Sequence, residues 1–307
     1  MAYVDEELAS QPDCWRTAAA LAPEHAAVLG RPGERVAVTG CGTSWFMAMA
    51  YAALRERAGL GETDAFQASE FPATRRYDRV VAITRSGTTT EVTDLLAALS
   101  TPTTVIVGNA DTPAAHLATD VVAMPFADER SVVQTRFATS TLALLRAHLG
   151  ENLEDAITDA EVAVRMPLPV DPAPIEQITF LGQGWTVGLA EEAALKCREA
   201  ATFWAEAYQA MDYRHGPIAI AAPRRVVWAF GEIPAGLDET VAAAGATFVH
   251  SRAHCGHTAL GSWNGGRVPL DPMADLIMAQ RFAVALAAHR GLDPDAPRNL
   301  TRSVVLA

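Results

Sequence analysis

The sequence predicts an α/β protein with two similar halves, each containing a parallel β-sheet that helices cover on both faces. Short runs of β-branched and apolar residues alternate with longer segments of helical composition along the 307 residues. Three of these strand-like runs recur after intervals of 142, 146 and 142 residues. The pairs of runs are 36–39 and 178–181, 80–84 and 226–230, and 104–108 and 246–250. Nearly equal intervals across three strands predict a duplicated domain.

The first strand of each half is followed by a glycine turn and a helical segment. In the first half the turn is Gly-Cys-Gly-Thr-Ser at 40–44, and the helical segment is 45–58. In the second half the turn is Gly-Gln-Gly-Trp-Thr at 182–186, and a segment of helical composition follows at 187–209. Ligands of such sheets bind beyond the carboxyl ends of the strands, so these turns are candidate binding sites.

A proline-rich stretch near 150–175 separates the two halves. Its segment MPLPVDPAPIEQ supplies four prolines and little hydrophobic periodicity, which is typical of a linker. We therefore expect an N-terminal helical segment at 1–30, a first domain at 31–155 and a second domain at 170–307.

The charge balance excludes several classes of protein. Against 24 basic residues there are 36 carboxylates, so the net charge is −12 and nothing resembles a nucleic-acid-binding or anionic-membrane surface. No apolar run is long enough to span a membrane, and the acidic N-terminus is not a secretory signal. The four cysteines are widely spaced and form no C-x-x-C motif, which fits a reducing compartment. We expect a cytoplasmic protein.

The segment after the second strand has the composition of a phosphate-binding loop. Five of the seven residues from 84 to 90 carry a hydroxyl group, and the amphipathic helix predicted at 91–99 follows directly. Hydroxyl groups and free N–H groups at a helix N-terminus favour an anion. An ordinary capped turn is the alternative, but a cap needs one hydroxyl and gives no role to Arg85. Ser44, in the first turn, would face the same crevice.

Two other kinds of site are less well supported. The turn at 40–44 lacks the third glycine of a dinucleotide-binding fingerprint, and no acidic residue ends the next strand. His250, His254, Cys255 and His257 have a spacing that could hold a metal ion, but a polar loop after a strand is the favoured explanation. Their role stays open.

Three residues of the second half could perform acid–base chemistry. Lys196, the one lysine of the chain, lies three residues before Glu199, so a helix places both on one face. Taken alone, this spacing is also that of an ordinary surface ion pair. His215 precedes Gly-Pro in a loop. Together with a phosphate site, a carboxylate and a histidine indicate proton transfer on a phosphorylated small molecule.

At this point the motifs resemble those of the SIS (sugar isomerase) domain family. The chain is most similar to the tandem-SIS isomerase half of glucosamine-6-phosphate synthase and to free-standing isomerases and deaminases. The resemblance covers nearly the whole chain, and its motifs are GCGTS at 40–44, ASEF at 68–71, TRSGTTTE at 84–91, SVVQTRF at 131–137, ALKCREA at 194–200, AEAYQAMDYRHGP at 205–217 and DAPRNLTRSV at 295–304. It implies two SIS domains, each a flavodoxin-like three-layer sandwich.

The resemblance also implies the roles of individual residues. Glu199 corresponds to the base that moves a proton between C1 and C2, with Lys196 beside it. His215 corresponds to a ring-opening histidine supplied by the neighbouring subunit, which implies a homodimer with shared active sites. The phosphate-binding residues, with Arg85 added for its charge, are Ser44, Thr84, Arg85, Ser86 and Thr89. The remaining substrate-binding residues are Cys41, Gly42, Thr43, Val132, Gln134 and Arg302. No cofactor and no metal are implied.

Departures from the synthase pattern narrow the expected activity. No glutaminase domain is expected, and Arg302 stands where the synthase has a lysine that forms a Schiff base, which a guanidinium cannot do. We therefore expect a sugar-phosphate isomerase or deaminase that abstracts the C2 proton of an amino-sugar or ketose 6-phosphate. Two alternatives stay open. One is a lyase or dehydratase that eliminates the C3 hydroxyl of an N-acetylhexosamine 6-phosphate, and the other is a non-catalytic sugar-phosphate sensor.

Overall fold

Two parallel β-sheets flanked by helices make up the protein. The computed structural model describes residues 2–250, 252–254 and 267–306. The first sheet has the strand order β2-β1-β3-β4-β5 and the second the order β7-β6-β8-β9. These strands are β1 Val36–Gly40, β2 Thr63–Gln67, β3 Arg79–Thr84, β4 Thr103–Val107, β5 Asp120–Ala123, β6 Gln177–Gly182, β7 Ala205–Gln209, β8 Arg225–Ala229 and β9 Thr247–Val249. An antiparallel pair follows, β10 Arg252–His254 and β11 Arg267–Pro269.

Helices connect the strands and fill the space around the sheets. Those described are α1 Tyr3–Ala9, α2 Gln11–His25, α3 Thr43–Arg57, α4 Thr90–Ala98, α5 Pro113–Leu117, α6 Arg136–His148, α7 Glu154–Ala163, α8 Thr186–Ala201, α9 Leu237–Ala243 and α10 Pro272–His289. Short 3-10 segments lie at Ala68–Glu70, Pro125–Ala127, Asp212–His215 and Pro217–Ile220. None of the helices in the described ranges is long and apolar enough to cross a membrane.

Alternation along the strands divides the apolar side chains between two faces of each sheet. Val81 and Ile83 of β3 point into one large core that lies between the two sheets. That core is built from α2, α3, α6, α7, α8 and α10 together with one face of each sheet. On the opposite face of the first sheet, Ala82 packs with α4 and α5, while Val227 of the second sheet packs with α9. Helices therefore cover both faces of both sheets.

All six strands that the repeat pattern predicted are present, and the described residues of the two parallel sheets include three further strands that were not anticipated. β2 and β5 lie at the edges of the first sheet. The third, β7, occupies residues that we had assigned to a long helix at 187–209. That assignment is wrong beyond Ala201: Thr202 takes a left-handed conformation with φ 46°, and β7 pairs in parallel with β6. The Ala- and Glu-rich composition of β7 favours a helix locally, so its pairing partner in the sheet decides its structure.

A close contact between α3 and α8 holds the two halves together. A Cβ atom at Gly188 of α8 would lie 2.3 Å from the carbonyl oxygen of Phe46 and 3.1 Å from the backbone nitrogen of Ala50. Both neighbours are helix backbone and cannot rotate away, so only glycine permits this separation. The contact matters for function because α3 begins at Thr43 and α8 carries Lys196.

We expect Gly188→Ala to lower the free energy of unfolding by about 1–3 kcal/mol, because the added methyl group overpacks the helix contact. The loss is expected although alanine has the higher helix propensity. Urea denaturation measures it, with Val187→Ala, at a half-buried position next to it, as the matched control. A variant as stable as the wild type would mean that the two helices separate without penalty.

Candidate active site

The five predicted phosphate-binding residues lie around one small cavity. β3 ends at Thr84, α4 begins at Thr90, and Ser44 lies in the first turn of α3, so two helix N-termini converge there. Their N–H groups and dipoles favour an anion. The cavity, which we call the phosphate cavity, is lined by Ser44, Thr84, Arg85, Ser86 and Thr89.

Hydrogen bonds within the loop fix its shape without an ordinary N-cap. Thr89 occupies the N-cap position of α4, but its side chain makes no capping bond. Its hydroxyl group lies 3.5 Å from that of Ser86, which in turn accepts a hydrogen bond from the Thr88 N–H at 3.2 Å. At Gly87, φ is +66° and a Cβ atom would lie 2.2 Å from the Thr112 hydroxyl oxygen, so the turn requires glycine. The capped-turn alternative therefore does not account for Thr89.

Arg85 supports the cavity from behind as well as lining it. Its guanidinium donates to the carbonyl oxygens of Ser131, at 2.8 Å, and Arg302, at 2.9 Å. It also lies 3.8 Å from the buried carboxylate of Glu129. Burial lowers the pKa of Arg85, and the charge of Glu129 opposes this shift. Arg85 thus ties the phosphate loop to two other segments, a role that the sequence analysis missed; a direct bond from it to phosphate stays a prediction.

Lys196 lies buried between two carboxylates of its own helix. Its ammonium nitrogen is 2.6 Å from Oε2 of Glu199 and 3.4 Å from Oε1 of Glu192. It also donates to the Thr43 hydroxyl group at 3.1 Å, which joins α8 to the first turn of α3. Because Thr43 precedes Ser44 in the chain, the acid–base group lies beside the phosphate cavity. The surface-pair alternative is wrong, since the Lys196 side chain is 1% exposed.

Glu192 is a site residue that the sequence analysis missed. It is fully buried, and the charge that faces its carboxylate is the ammonium of Lys196. Burial raises its pKa to about 7, although the charge of Lys196 opposes the shift. The spacing of Glu192, Lys196 and Glu199 by four and then three residues puts all three on one helix face, and that pattern could have revealed it.

The same cluster keeps Lys196 charged. Burial alone would lower its pKa, but the carboxylates of Glu192 and Glu199 more than offset this, and the pKa is raised above 10.5. A buried ammonium of this kind needs its carboxylate partners, because removing them leaves an uncompensated charge. Lys196 is therefore a fixed positive charge in this structure.

Glu199 is the member of the cluster that a ligand can reach. Its side chain is 21% exposed, and it lines a cleft of about 610 Å³ at the C-terminal end of α8. The other wall of the cleft comes from the C-terminal tail, residues 298–300. Further along, the tail crosses the start of α4, where the Val304 carbonyl oxygen accepts from the Thr90 N–H at 3.1 Å. The tail thus borders both the cleft and the phosphate loop.

The other predicted substrate-binding residues lie around these two spaces. Cys41, Gln134 and Arg302 line the phosphate cavity. Oε1 of Gln134 is buried and has no hydrogen-bond partner within the described ranges, so it is an available acceptor. Arg302 forms an ion pair with Asp128. Gly42, with φ +54°, forms the turn into α3.

Val132 and the histidines are placed differently. Val132 lies outside the phosphate-cavity lining, and its N–H donates to the Asp295 carbonyl oxygen at 3.4 Å. His215 is exposed at the end of a 3-10 segment, and the single chain does not bring it to the lining of the Glu199 cleft. His250 contacts the Gly231 carbonyl oxygen at 2.9 Å. The side chain of His254, and Cys255 and His257 entirely, lie outside the described residues.

Known sequences resemble the chain over its whole length. A glutamine–fructose-6-phosphate aminotransferase (isomerizing) of Caulobacter vibrioides is 27% identical over 358 residues, covering 99% of this chain and 59% of that protein. An enzyme of the same name from Nostoc is 26% identical over 329 residues, covering 89% of this chain and 52% of the relative. The chain spans about half the length of the curated relatives it matches. No protein-family model matches it.

Solved structures share its fold. Glucosamine-6-phosphate deaminase of Thermotoga maritima superposes with a TM-score of 0.76 at 23% identity, covering 98% of this chain and 99% of that one. The C-terminal domain of the Francisella tularensis glucosamine–fructose-6-phosphate aminotransferase gives 0.79 at 18% identity, covering 97% and 98%. Tagatose-6-phosphate ketose/aldose isomerase of Escherichia coli gives 0.76 at 18% identity, covering 98% and 95%. The α/β fold is thus the fold of phosphosugar isomerases and deaminases.

We expect Glu192→Gln to change how stability depends on pH. The folded pKa of about 7 lies above the ordinary 4.5, so Glu192 favours folding fully below pH 4.5 and loses that contribution as the pH rises through 7. Between pH 4.5 and pH 7.5, the free energy of unfolding of the wild type should therefore fall by up to roughly 3 kcal/mol more than that of the variant. Urea denaturation at both pH values measures this, and Glu176→Gln at an exposed site is the control. If the free energies of unfolding of the wild type and Glu192→Gln change equally with pH, the raised pKa does not belong to Glu192.

Proposed function

We propose that the chain is a sugar-phosphate isomerase or deaminase of the SIS family, without glutaminase activity, acting on an amino-sugar or ketose 6-phosphate. One observation carries the proposal: the buried Lys196 contacts both Glu199 and Thr43, the residue next to Ser44 of the phosphate cavity. A group suited to proton transfer thus lies within one small molecule's length of an anion site. The phosphosugar enzymes among its relatives and structural neighbours support the same substrate class.

The chemistry follows from the charges around Glu199. With the phosphate of an open-chain sugar in the cavity, Glu199 removes the C2 proton and a negative charge develops on the C1 oxygen. The Lys196 ammonium stabilises that enediolate. Glu199 then returns the proton to C1 while the C2 hydroxyl proton passes to the C1 oxygen, which converts an aldose into a ketose. When C2 carries an amine, the product is a ketimine, and water releases ammonia to leave the ketose phosphate.

The residues of the tail argue against a synthase mechanism that uses an imine. Arg302 pairs with Asp128, and a guanidinium does not form a Schiff base. A non-catalytic sensor is less well supported because Lys196, Glu192 and Glu199 bury charge that phosphate binding alone does not require. Elimination of a C3 hydroxyl would begin with the same proton abstraction, and product analysis separates it from isomerisation.

Domain duplication and dimerisation are part of the proposal. The strand orders β2-β1-β3-β4-β5 and β7-β6-β8-β9 correspond position by position through four strands, which supports two tandem SIS domains. His215 is exposed, so it is free to reach the Glu199 cleft of a second subunit. There it would open the sugar ring by passing the ring-oxygen proton. The working unit is then a homodimer with two shared active sites.

We expect Glu199→Gln to abolish turnover, by roughly 10³-fold or more, while sugar-phosphate affinity changes little, since the base is lost but the phosphate cavity is intact. Candidate hexosamine and hexulose 6-phosphates are incubated in D2O, and NMR follows exchange of the C2 proton of the hexosamine or a C1 proton of the hexulose, together with the products. Glu191→Gln on the same helix is the matched control. Binding without any exchange by the wild type would favour a sensor, and an unsaturated product would favour elimination.

We expect two inactive variants to restore activity when they are mixed. A dimer of one Glu199→Gln chain and one His215→Ala chain has one active site with both wild-type residues, if His215 acts across the interface. Random reassociation of equal amounts makes half of the dimers mixed, and each mixed dimer has one intact site out of two. The mixture should therefore have about a quarter of wild-type activity. Each variant alone is the control. A mixture as inactive as its components would place His215 in its own chain's site or outside the mechanism.

A further inference from the structure

We propose that Glu7 of the N-terminal helix α1 is a positioning residue for the phosphate cavity, which it reaches through Ser131 and Arg85. The inference rests on the proposed function only in taking the cavity as a dianion site. Glu7 does not line that cavity, and its helix was expected only as part of an N-terminal helical segment at 1–30. A chain of hydrogen bonds links it to the phosphate loop.

Three contacts connect Glu7 to the phosphate loop. One carboxylate oxygen of Glu7 accepts from the N–H groups of Arg130, at 2.6 Å, and Ser131, at 3.4 Å. The Ser131 carbonyl oxygen then accepts from the Arg85 guanidinium at 2.8 Å. Arg85 follows Thr84 in the loop that forms the cavity wall. Glu7 thus fixes the peptide that fixes the side chain of Arg85.

Residues near the C-terminus of the polypeptide hold Glu7 in place. Both carboxylate oxygens of Asp295 accept from α1, one from the Tyr3 N–H at 2.7 Å and the other from the Val4 N–H at 2.9 Å. The Ser131 hydroxyl group donates to the Pro294 carbonyl oxygen at 3.3 Å. The tail therefore clamps α1 and the segment at Ser131 together, and the Glu7 side chain is buried, with 3% of the residue exposed.

A second buried carboxylate, that of Glu129, interacts electrostatically with Glu7. Glu129 accepts three hydrogen bonds through one oxygen, from the Thr135 N–H and hydroxyl group and the Arg136 N–H. The other oxygens of Glu7 and Glu129 are both buried and have no hydrogen-bond partner in the part of the chain that the structure describes. Glu129 thus lies 3.8 Å from the guanidinium of Arg85, and the charges of both carboxylates act on that guanidinium.

This arrangement lets Glu7 change its charge near neutral pH. Burial, then repulsion from Glu129, raises its pKa to about 7, while the N–H groups and the charge of Arg136 oppose the shift. Protonated Glu7 leaves one more net positive charge behind the cavity, so a dianion binds better below pH 7 than above it. The charged and titratable groups on the elements around Glu7 are Cys14, Arg85, Asp128, Glu129, Arg130, Arg136, Asp295 and Arg302.

The test uses sulfate as the probe, because it stays a dianion from pH 6 to pH 8.5 and does not itself titrate. Sulfate affinity is measured by calorimetry for the full chain and for Glu7→Ala, Glu7→Gln and the neighbouring exposed Glu6→Ala. We expect Glu7→Ala to weaken binding by about fivefold or more, since the N–H groups of Arg130 and Ser131 lose their acceptor. KM for the sugar phosphate should rise in parallel, with kcat within about twofold of the wild type, because Glu199 and Lys196 are untouched.

Glu7→Gln separates positioning from simple support of the fold. Its amide oxygen still accepts from both N–H groups, so tight binding should return, but its affinity should depend on pH less than that of the wild type, because Glu7 no longer titrates. The wild type should bind sulfate about threefold to tenfold more weakly at pH 8.5 than at pH 6. A folded Glu7→Ala with the affinity of Glu6→Ala, or identical pH profiles for the wild type and Glu7→Gln, would overturn the inference.

The outcomes also separate this inference from the proposed function. Wild-type protein that binds sulfate but exchanges no sugar proton would contradict the catalytic proposal and leave the positioning role of Glu7 standing. Wild-type protein that binds no sulfate at all would contradict the inference itself, because the dianion site that Glu7 is proposed to position would be missing.

Discussion

The ammonium of Lys196 is the interaction on which the site depends. It contacts two carboxylates on its own helix and a hydroxyl group on a helix of the other half, so one buried charge joins both parts of the molecule. Burial of three ionisable groups is unfavourable unless each is compensated by its neighbours. A compact ammonium with three donors can satisfy Thr43, Glu192 and Glu199 together, which a planar guanidinium would do poorly. The geometry of this cluster therefore favours lysine over arginine at position 196.

Positive and hydrogen-bond-donating groups lie around the cavity, whereas the chain as a whole carries a net negative charge. A net charge of −12 repels a phosphorylated ligand at long range. At the cavity, two helix N-termini, several hydroxyl groups and the guanidinium of Arg85 come together, a local arrangement that favours an anion. Arg85 itself stays oriented because backbone carbonyl oxygens and Glu129 hold it. The positive charge is therefore part of the fold rather than a mobile surface group.

Much of this could be predicted from the sequence, and the rest depended on long-range pairing. The six repeated strands follow from β-branched runs, and the gathering of polar residues around one cavity follows from the density of hydroxyl groups between 84 and 90. β7 was missed because Ala-Glu-Ala-Tyr-Gln has a helical composition and becomes a strand only beside β6. Glu192 and Glu7 were missed for another reason: a glutamate on a helix looks solvent-exposed until the surrounding elements that bury it are known.

The meeting of both chain ends beside the cavity has a practical consequence for handling the protein. Asp295 binds the first turn of α1, and the N–H of Leu306 donates to the Thr90 hydroxyl group at the start of α4. A fusion partner or affinity tag attached after residue 306 would therefore begin at the helix behind the phosphate loop. Tag position thus becomes an experimental variable, and a removable tag is the sound choice for any kinetic work.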